Sequence, residues 1–287
     1  MYVRIGYDIE FDLPADTPML LMLYTHSDVS HTLLQQDYVR TDPPLPIYTF
    51  IDGFGNRCGR ILAPAGKLRI WSDSIQLTDG SPDFTNPDAI QTPVEYLPDN
   101  TLPYLLGSRY CEVHPLLQTA WDLFGTTPEG WQRVNAVCDW VYNNVKFDYL
   151  QTNPDKTAID VLRDRTGVCR DFMHLAITFC RCLNIPARYA TGYLSDIGEP
   201  LTEAPMDFSA FFEVYLNGVW YPFDARNNKA RLGRVLMARG RDAVDVALTT
   251  AFGEATMTKF TVWTDEVFSP ELPAELPTPS NAIYNVR

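Results

Sequence analysis

The 287-residue chain has room for about two domains of common size, each large enough to bury a core of its own. Its 23 lysines and arginines against 36 aspartates and glutamates leave a formal charge of −13, the wrong sign for neutralising phosphates or anionic lipid, which argues against nucleic-acid and membrane-surface roles. Hydrophobic residues at 46% and charged ones at 21% describe a chain that folds compactly rather than a disordered or fibrous one.

At the N-terminus Val3, Ile5, Tyr7, Ile9 and Phe11 alternate as a strand does. The same stretch lacks the basic, apolar and small-residue succession of a secretory signal, so a cytoplasmic protein is expected. The apolar run 19–24 falls far short of the ~20 residues a membrane helix needs. Up to residue 108 the punctuation is that of a β domain, with breaks at Asp42-Pro43-Pro44, Asp52-Gly53, Pro64-Ala65-Gly66, Asp79-Gly80 and Asn86-Pro87. Strands over 19–25, Tyr48–Ile51, 60–62 and 67–72 are rich in aromatic or branched residues and predict a small sandwich with no helix. Residues 81–103, rich in Pro and Asp, read as a linker.

The period then changes. Leu116, Leu117, Ala120, Leu123 and Phe124 recur at helical spacing, as do Val134, Val137, Cys138, Val141 and Val145, and predict two amphipathic helices. The first is expected to end near Gly125, the second to start at Thr127-Pro128-Glu129 with Thr127 as N-cap. A short helix is predicted over 157–165 and a longer one over 169–183, the latter with Phe172, Leu175, Ala176, Phe179 and Leu183 on one buried stripe. Asn184-Ile185-Pro186 stops it, and 187–194 resumes as a strand. Residues 208–216 and 219–225 flank Asn217-Gly218, the pair that a two-residue type I′ turn demands, and predict a β-hairpin. Further strands are expected around 244–250 and 258–263, followed by a Pro-rich, extended tail over 269–287.

Six cysteines with no CxxC pair and only four histidines supply neither a disulfide framework nor metal-ligand spacing, and no motif implies a cofactor. Cys180 and Cys182 read as inert core thiols. Cys169 differs: it stands at the first turn of its helix after Gly167-Val168, beside backbone N–H groups and the positive end of the helix dipole. That placement is expected to lower the thiol pKa and to offer donors to an oxyanion, as acyl transfer by cysteine requires; the alternative is a small core residue. In the hairpin, Leu216 opposite Val219 makes each cross-strand pair sum to 435, which sets Phe211 against Asp224 and Ser209 against Arg226. Asp224 then lies diagonal to Ser209, where a carboxylate would orient a side chain; alternatively it pairs with Arg226 or caps the turn at Asn227-Asn228.

The run Thr166-Gly167-Val168-Cys169-Arg170-Asp171-Phe172-Met173-His174-Leu175, with Asn184-Ile185-Pro186-Ala187-Arg188-Tyr189 and Thr191-Gly192-Tyr193 after it, closely resembles the nucleophile segment of bacterial transglutaminase-like proteins. The resemblance covers roughly residues 111–263, and the N-terminal portion is similar to the β-rich region preceding the core in bacterial members. It implies an α+β fold: a β-sandwich over 1–108, a papain-like core of helices on an antiparallel sheet over 109–268, and the tail over 269–287. It also implies a triad with Cys169 as nucleophile and Asp224 as the carboxylate. Where the family carries its histidine, followed by alanine and an aromatic residue, this chain has Ser209-Ala210-Phe211, and no histidine occurs after His174. Serine has no pKa near neutrality and cannot serve as base. His174, five residues along the helix from Cys169, is expected to turn away and hydrogen-bond in the core. His26, His31 or His114 would have to enter from the N-terminal portion, and a carboxylate such as Asp207 or Glu213 beside the thiol would raise its pKa. Two readings follow. One is a cysteine-nucleophile enzyme acting on peptide or side-chain amides through a thioester, without cofactor or metal; the other is an inactive module of the same fold that binds a peptide or protein.

Overall fold

The computed structural model describes residues 1–200, 206–273, 275 and 276. Most of the predicted tail, 277–287 and 274, and the segment 201–205 lie outside the described residues. The N-terminal strands are β1 (Tyr2–Leu13), β2 (Thr17–Leu21), β3 (Leu33–Gln35), β4 (Arg40–Asp42), β5 (Tyr48–Ile51), β6 (Arg57–Ala63) and β7 (Gly66–Leu77). Then come helices α1 (Val113–Phe124) and α2 (Trp131–Asn144), strand β8 (Lys146–Phe147), α3 (Ala158–Asp164), β9 (Thr166–Gly167) and α4 (Cys169–Cys182). Strands β10 (Ala187–Tyr193), β11 (Ser209–Leu216), β12 (Val219–Phe223), β13 (Val235–Gly240), β14 (Thr249–Ala251) and β15 (Thr256–Val267) complete the order.

The alternating residues of β1 do what their period dictates: Val3, Ile5, Tyr7, Ile9 and Phe11 are all buried in one core with Met19 and Leu21 of β2 and Ile61 of β6. Two antiparallel sheets, β15-β1-β7-β3 with β4 on β7, and β14-β2-β6-β5, form the layers of this sandwich. The long last strand does not belong to the core where the sequence reading put it. β15 pairs with β1 from Tyr2↔Val267 onward, and β14 pairs with β2, so the sandwich closes only with the end of the chain. On the other face of β1, Trp263 covers Gly6, where a Cβ would lie 2.4 Å from its ring. The Trp263 indole N–H donates to Asp73 at 3.0 Å, and Arg4 holds the same carboxylate at 2.9 and 2.7 Å. The sandwich core also takes in Tyr193, Phe208, Val235 and Met237 from the second half, so the two halves share buried surface.

Several boundaries differ from expectation for physical reasons. Residues 81–103 are tied down rather than free: Asp83 accepts from Arg234 at 3.0 Å, and the Ala89 carbonyl accepts the Trp131 amide at 2.9 Å. That contact starts α2 three residues later than Pro128, with Gly130 at φ 85° as N-cap, because a Cβ there would lie 2.3 Å from the Ala89 oxygen. The stretch predicted as a strand at 244–250 is a 3-10 turn over Ala243–Val246, held by the Asp242 carboxylate on the Val244 amide, followed by the short β14. The hairpin forms as read, with Asn217 and Gly218 at φ 47° and 86° and Leu216 opposite Val219.

In the second half, the sheet β12-β11-β10-β13 lies on one side of α4 and α1, α2 and α3 lie on the other. Every residue from Asp171 to Cys182 is buried, so α4 is enclosed all round rather than along the single stripe its periodicity suggested. Because β15 supplies one whole edge of β1, a fragment of residues 1–108 is expected to lack cooperative urea unfolding and amide-proton dispersion. A well-dispersed spectrum from that fragment would show that the sandwich stands without its last strand.

Candidate active site

Four local features put Cys169 at the start of a buried helix. The short parallel pair β8–β9 delivers the chain to Gly167, where a Cβ would meet Asp171 at 2.7 Å. Val168 is extended and acts as N-cap. The Asp171 carboxylate reaches back to accept the Val168 amide at 2.9 Å. Arg170 in turn bonds that carboxylate at 3.2 Å. Cys169 and Arg170 are therefore the first two helical residues, whose amides have no carbonyl one turn behind them.

Cys169 is half-buried and opens onto a cleft of about 290 Å³. Asp207, Ser209, Arg226, Asp196, Glu199 and Tyr149 line the same cleft, which places Cys169 and Ser209 together. The Ser209 hydroxyl is only 3.4 Å from the Ala210 carbonyl. Asp224 is not among the residues that line it. β12 ends at Phe223, so the register that would have carried Asp224 across from residue 211 stops one residue short. The Asp224 carboxylate instead accepts the Arg226 and Asn227 amides at 3.0 and 2.9 Å, the Asn227 side chain at 2.8 Å and Arg234 at 3.3 Å. It caps the turn, as one of the two alternatives had it, but its ionic partner is Arg234 and not Arg226.

Residues 118–225 match the family model of the transglutaminase-like superfamily. A candidate cysteine protease from Cytophaga hutchinsonii of known crystal structure is 31% identical, with a TM-score of 0.83 over 98% of this chain and 95% of that one. The chain belongs to the transglutaminase-like superfamily. An uncharacterised Mycobacterium leprae protein is 26% identical over 231 residues, 73% of this chain and 77% of that protein. The periplasmic domain of Pseudomonas aeruginosa TgpA is 15% identical, with a TM-score of 0.40 over 78% of this chain and 90% of that domain.

In this transglutaminase-like core the electrostatics of the cysteine run against the sequence expectation. Burial, followed by the Asp207 carboxylate, pushes the Cys169 thiol above its ordinary value, and the Ala210 and Arg170 backbone groups and the Arg226 charge only partly offset this. The helix start alone does not make a thiolate when a carboxylate shares its cavity. Asp207 is itself affected: burial raises its carboxyl to about 6, opposed by the Phe208 amide and Arg226. In the sequence Asp207 reads only as a repulsive neighbour of the thiol. The signal that would have promoted it is spacing, since residue 207 precedes Ser209 by two and strand alternation sets such residues on one side.

No histidine lines the cleft among the described residues. His174 is fully buried, stacks on Tyr110 at 4.9 Å between ring centroids, and accepts the Ala243 amide at Nε2 over 3.1 Å. Burial and the charges of Arg170 and Arg181 hold it well below the usual imidazole range, so it is a neutral core residue. His26 is buried near Phe54 and Asp28. Glu213 sits between Arg188 and Arg239, at 2.6 and 2.8 Å, away from the cleft. Arg226 lies 3.9 Å from the centre of the Phe147 ring, which holds a positive charge at the cleft wall.

A carboxyl raised in the folded state favours folding when protonated, so its contribution is complete below the unfolded value near 3.9 and is lost as pH rises through about 6. An Asp207→Asn variant removes that loss. Its stability relative to the natural chain, from urea unfolding, is expected to rise by about 1–3 kcal/mol between pH 4 and 7 and then to level off. A difference that is constant with pH would contradict the raised carboxyl.

Proposed function

We propose that this chain is a cysteine-nucleophile acyl-transfer protein acting on peptide or side-chain amides, with Cys169 as the attacking group. The observation that carries the reading is the exposure of Cys169, alone among the six cysteines, at a helix start in a polar cleft, whereas the other five are buried. The thiol would attack the carbonyl carbon to give a tetrahedral adduct. Its oxyanion would face the leading amides of α4, and loss of the amine would leave a thioester for water or another amine to resolve. Ser209 occupies the histidine position of the family without the pKa to exchange a proton. Asp224 would act through the turn it caps. Its bonds hold the chain that carries Arg226 into the cleft, which makes it a positioning residue.

A second reading keeps the cleft for binding a peptide without turnover. It is favoured by the raised Cys169 thiol and by the absence of an imidazole among the described residues that line the cleft. The two separate on incubation with a protected glutaminyl-glycine dipeptide followed by intact mass. The acyl-transfer reading predicts ammonia release and an acyl adduct on Cys169, both abolished in Cys169→Ala. Ser209→His is expected to raise the rate by at least about tenfold, because general acid–base assistance contributes roughly 10²–10⁴. Persistence of the adduct in Cys169→Ala would end the acyl-transfer reading, and complete inertness of both the natural chain and the Ser209→His variant would favour binding alone.

A further inference from the structure

Among the described residues three carboxylates line the cleft, and their surroundings differ. Asp196 is 3.5 Å from Arg231, and Glu199 is 3.4 Å from the same guanidinium and bonded to Lys229. Both are therefore committed to ion pairs at the cleft wall. Asp207 makes no ion pair among the described residues. It is half-buried, its charge is the strongest influence on the Cys169 thiol after burial itself, and Arg226 is the cation that acts on both groups. Its carboxyl gives up a proton near 6, which leaves it an acceptor at neutral pH and a usable acid once protonated. Of the groups around Cys169, the Ser209 hydroxyl is no base near neutrality, and the guanidinium groups of the cleft supply charge but offer no atom that accepts a proton.

We propose that Asp207 is the catalytic base and acid of this cleft, doing for Cys169 what Ser209 cannot. The role rests on Cys169 being the nucleophile. Because sulfur holds its proton more tightly than Asp207 does, the transfer accompanies attack and does not precede it. As the Sγ–C bond forms, the thiol proton passes to an Asp207 oxygen and the carbonyl π pair becomes the oxyanion. When the adduct collapses, the C–N bond breaks and the Asp207 proton moves to the departing nitrogen, leaving an amine and the thioester. Water then attacks the thioester while Asp207 takes one of its protons. Expulsion of sulfur, reprotonated from Asp207, yields the acid and the free thiol. Atoms and charge balance without a further reactant.

The arrangement has an unusual signature, because the same carboxylate suppresses the thiolate and assists the thiol. The probe is p-nitrophenyl acetate, with acylation of Cys169 followed by nitrophenolate release and peptide mass between pH 5 and 10. Wild-type acylation is expected to rise with an apparent pKa near 6 to a plateau, and then to rise again as the thiol ionises. Asp207→Asn is expected to lose the plateau, acylating at least about tenfold more slowly at pH 7. Its alkaline limb shifts to lower pH, so that above pH 9 it outpaces the natural chain. Asp207→Glu should restore part of the plateau. Iodoacetamide, which needs only thiolate, should modify Asp207→Asn faster than wild type, and that result shows the variant site is folded and open. If Asp207→Asn acylates as fast as wild type or faster at every pH, the role is overturned while the nucleophile stands. If neither protein acylates at Cys169, the nucleophile reading falls and the role with it.

Discussion

The enclosure of α4 is the constraint on which the rest depends. Residues Asp171 to Cys182 are buried between three helices and the sheet, so the helix cannot shift along or turn about its axis without opening the core. Its first residue is consequently fixed in space. Gly167, Val168 and Asp171 bring the chain to that point by a close approach, an extended cap and a side chain that reaches back to the backbone. Arg181 anchors the far end, donating to the Ala187 carbonyl at 3.0 and 2.8 Å and to Leu106 at 3.0 Å. A rigid helix with a polar residue at its exposed tip is the physical requirement for a reproducible nucleophile, because side chains on fixed elements are placed more narrowly than those on loops.

Around that tip the protein has arranged charge in a way that costs the thiolate. The family's imidazole would stabilise an ionised cysteine. Here a carboxylate sits in the cavity and Arg226 is the opposing charge. The buried Arg234 sharpens the contrast, because it lies over Phe211 at 4.4 Å and between Asp83 and Asp224. Asp224 is thereby drawn into a network that joins the segment 81–103, the strand end and the turn beyond it, and that network serves the shape of the cleft wall.

Much of this was legible in the sequence because the local rules were unopposed. Asn217-Gly218 demanded one kind of turn and made it, and the 3.6-residue spacing of α1, α2 and α4 found its helices. The resemblance placed Cys169 at a helix start. What was not legible depended on contacts remote in sequence. The pairing of β15 with β1 joins residues 244 to 265 positions apart, and no local period announces it. The start of α2 moved because Gly130 meets Ala89, and Asp224 was captured by Arg234 across ten residues of loop. The thiol expectation failed for the same reason. Helix-start donors are visible in sequence, but burial and the approach of Asp207 are properties of the assembled cleft.

The central requirement is that Cys169 be the chemically available thiol of a cleft that holds it protonated near neutrality. Alkylation by iodoacetamide across pH, mapped to each peptide, tests this most directly because the other cysteines serve as internal references. Burial drives Cys58 and Cys111 to about 11 and Cys182 to about 12. Cys169 is expected to react first at every pH, with an apparent pKa above the ~8.5 of a free thiol. An apparent pKa below 7 would mean that the cleft stabilises the thiolate and that Asp207 does not dominate it. Reaction no faster than at the buried cysteines would mean that Cys169 is not available at all.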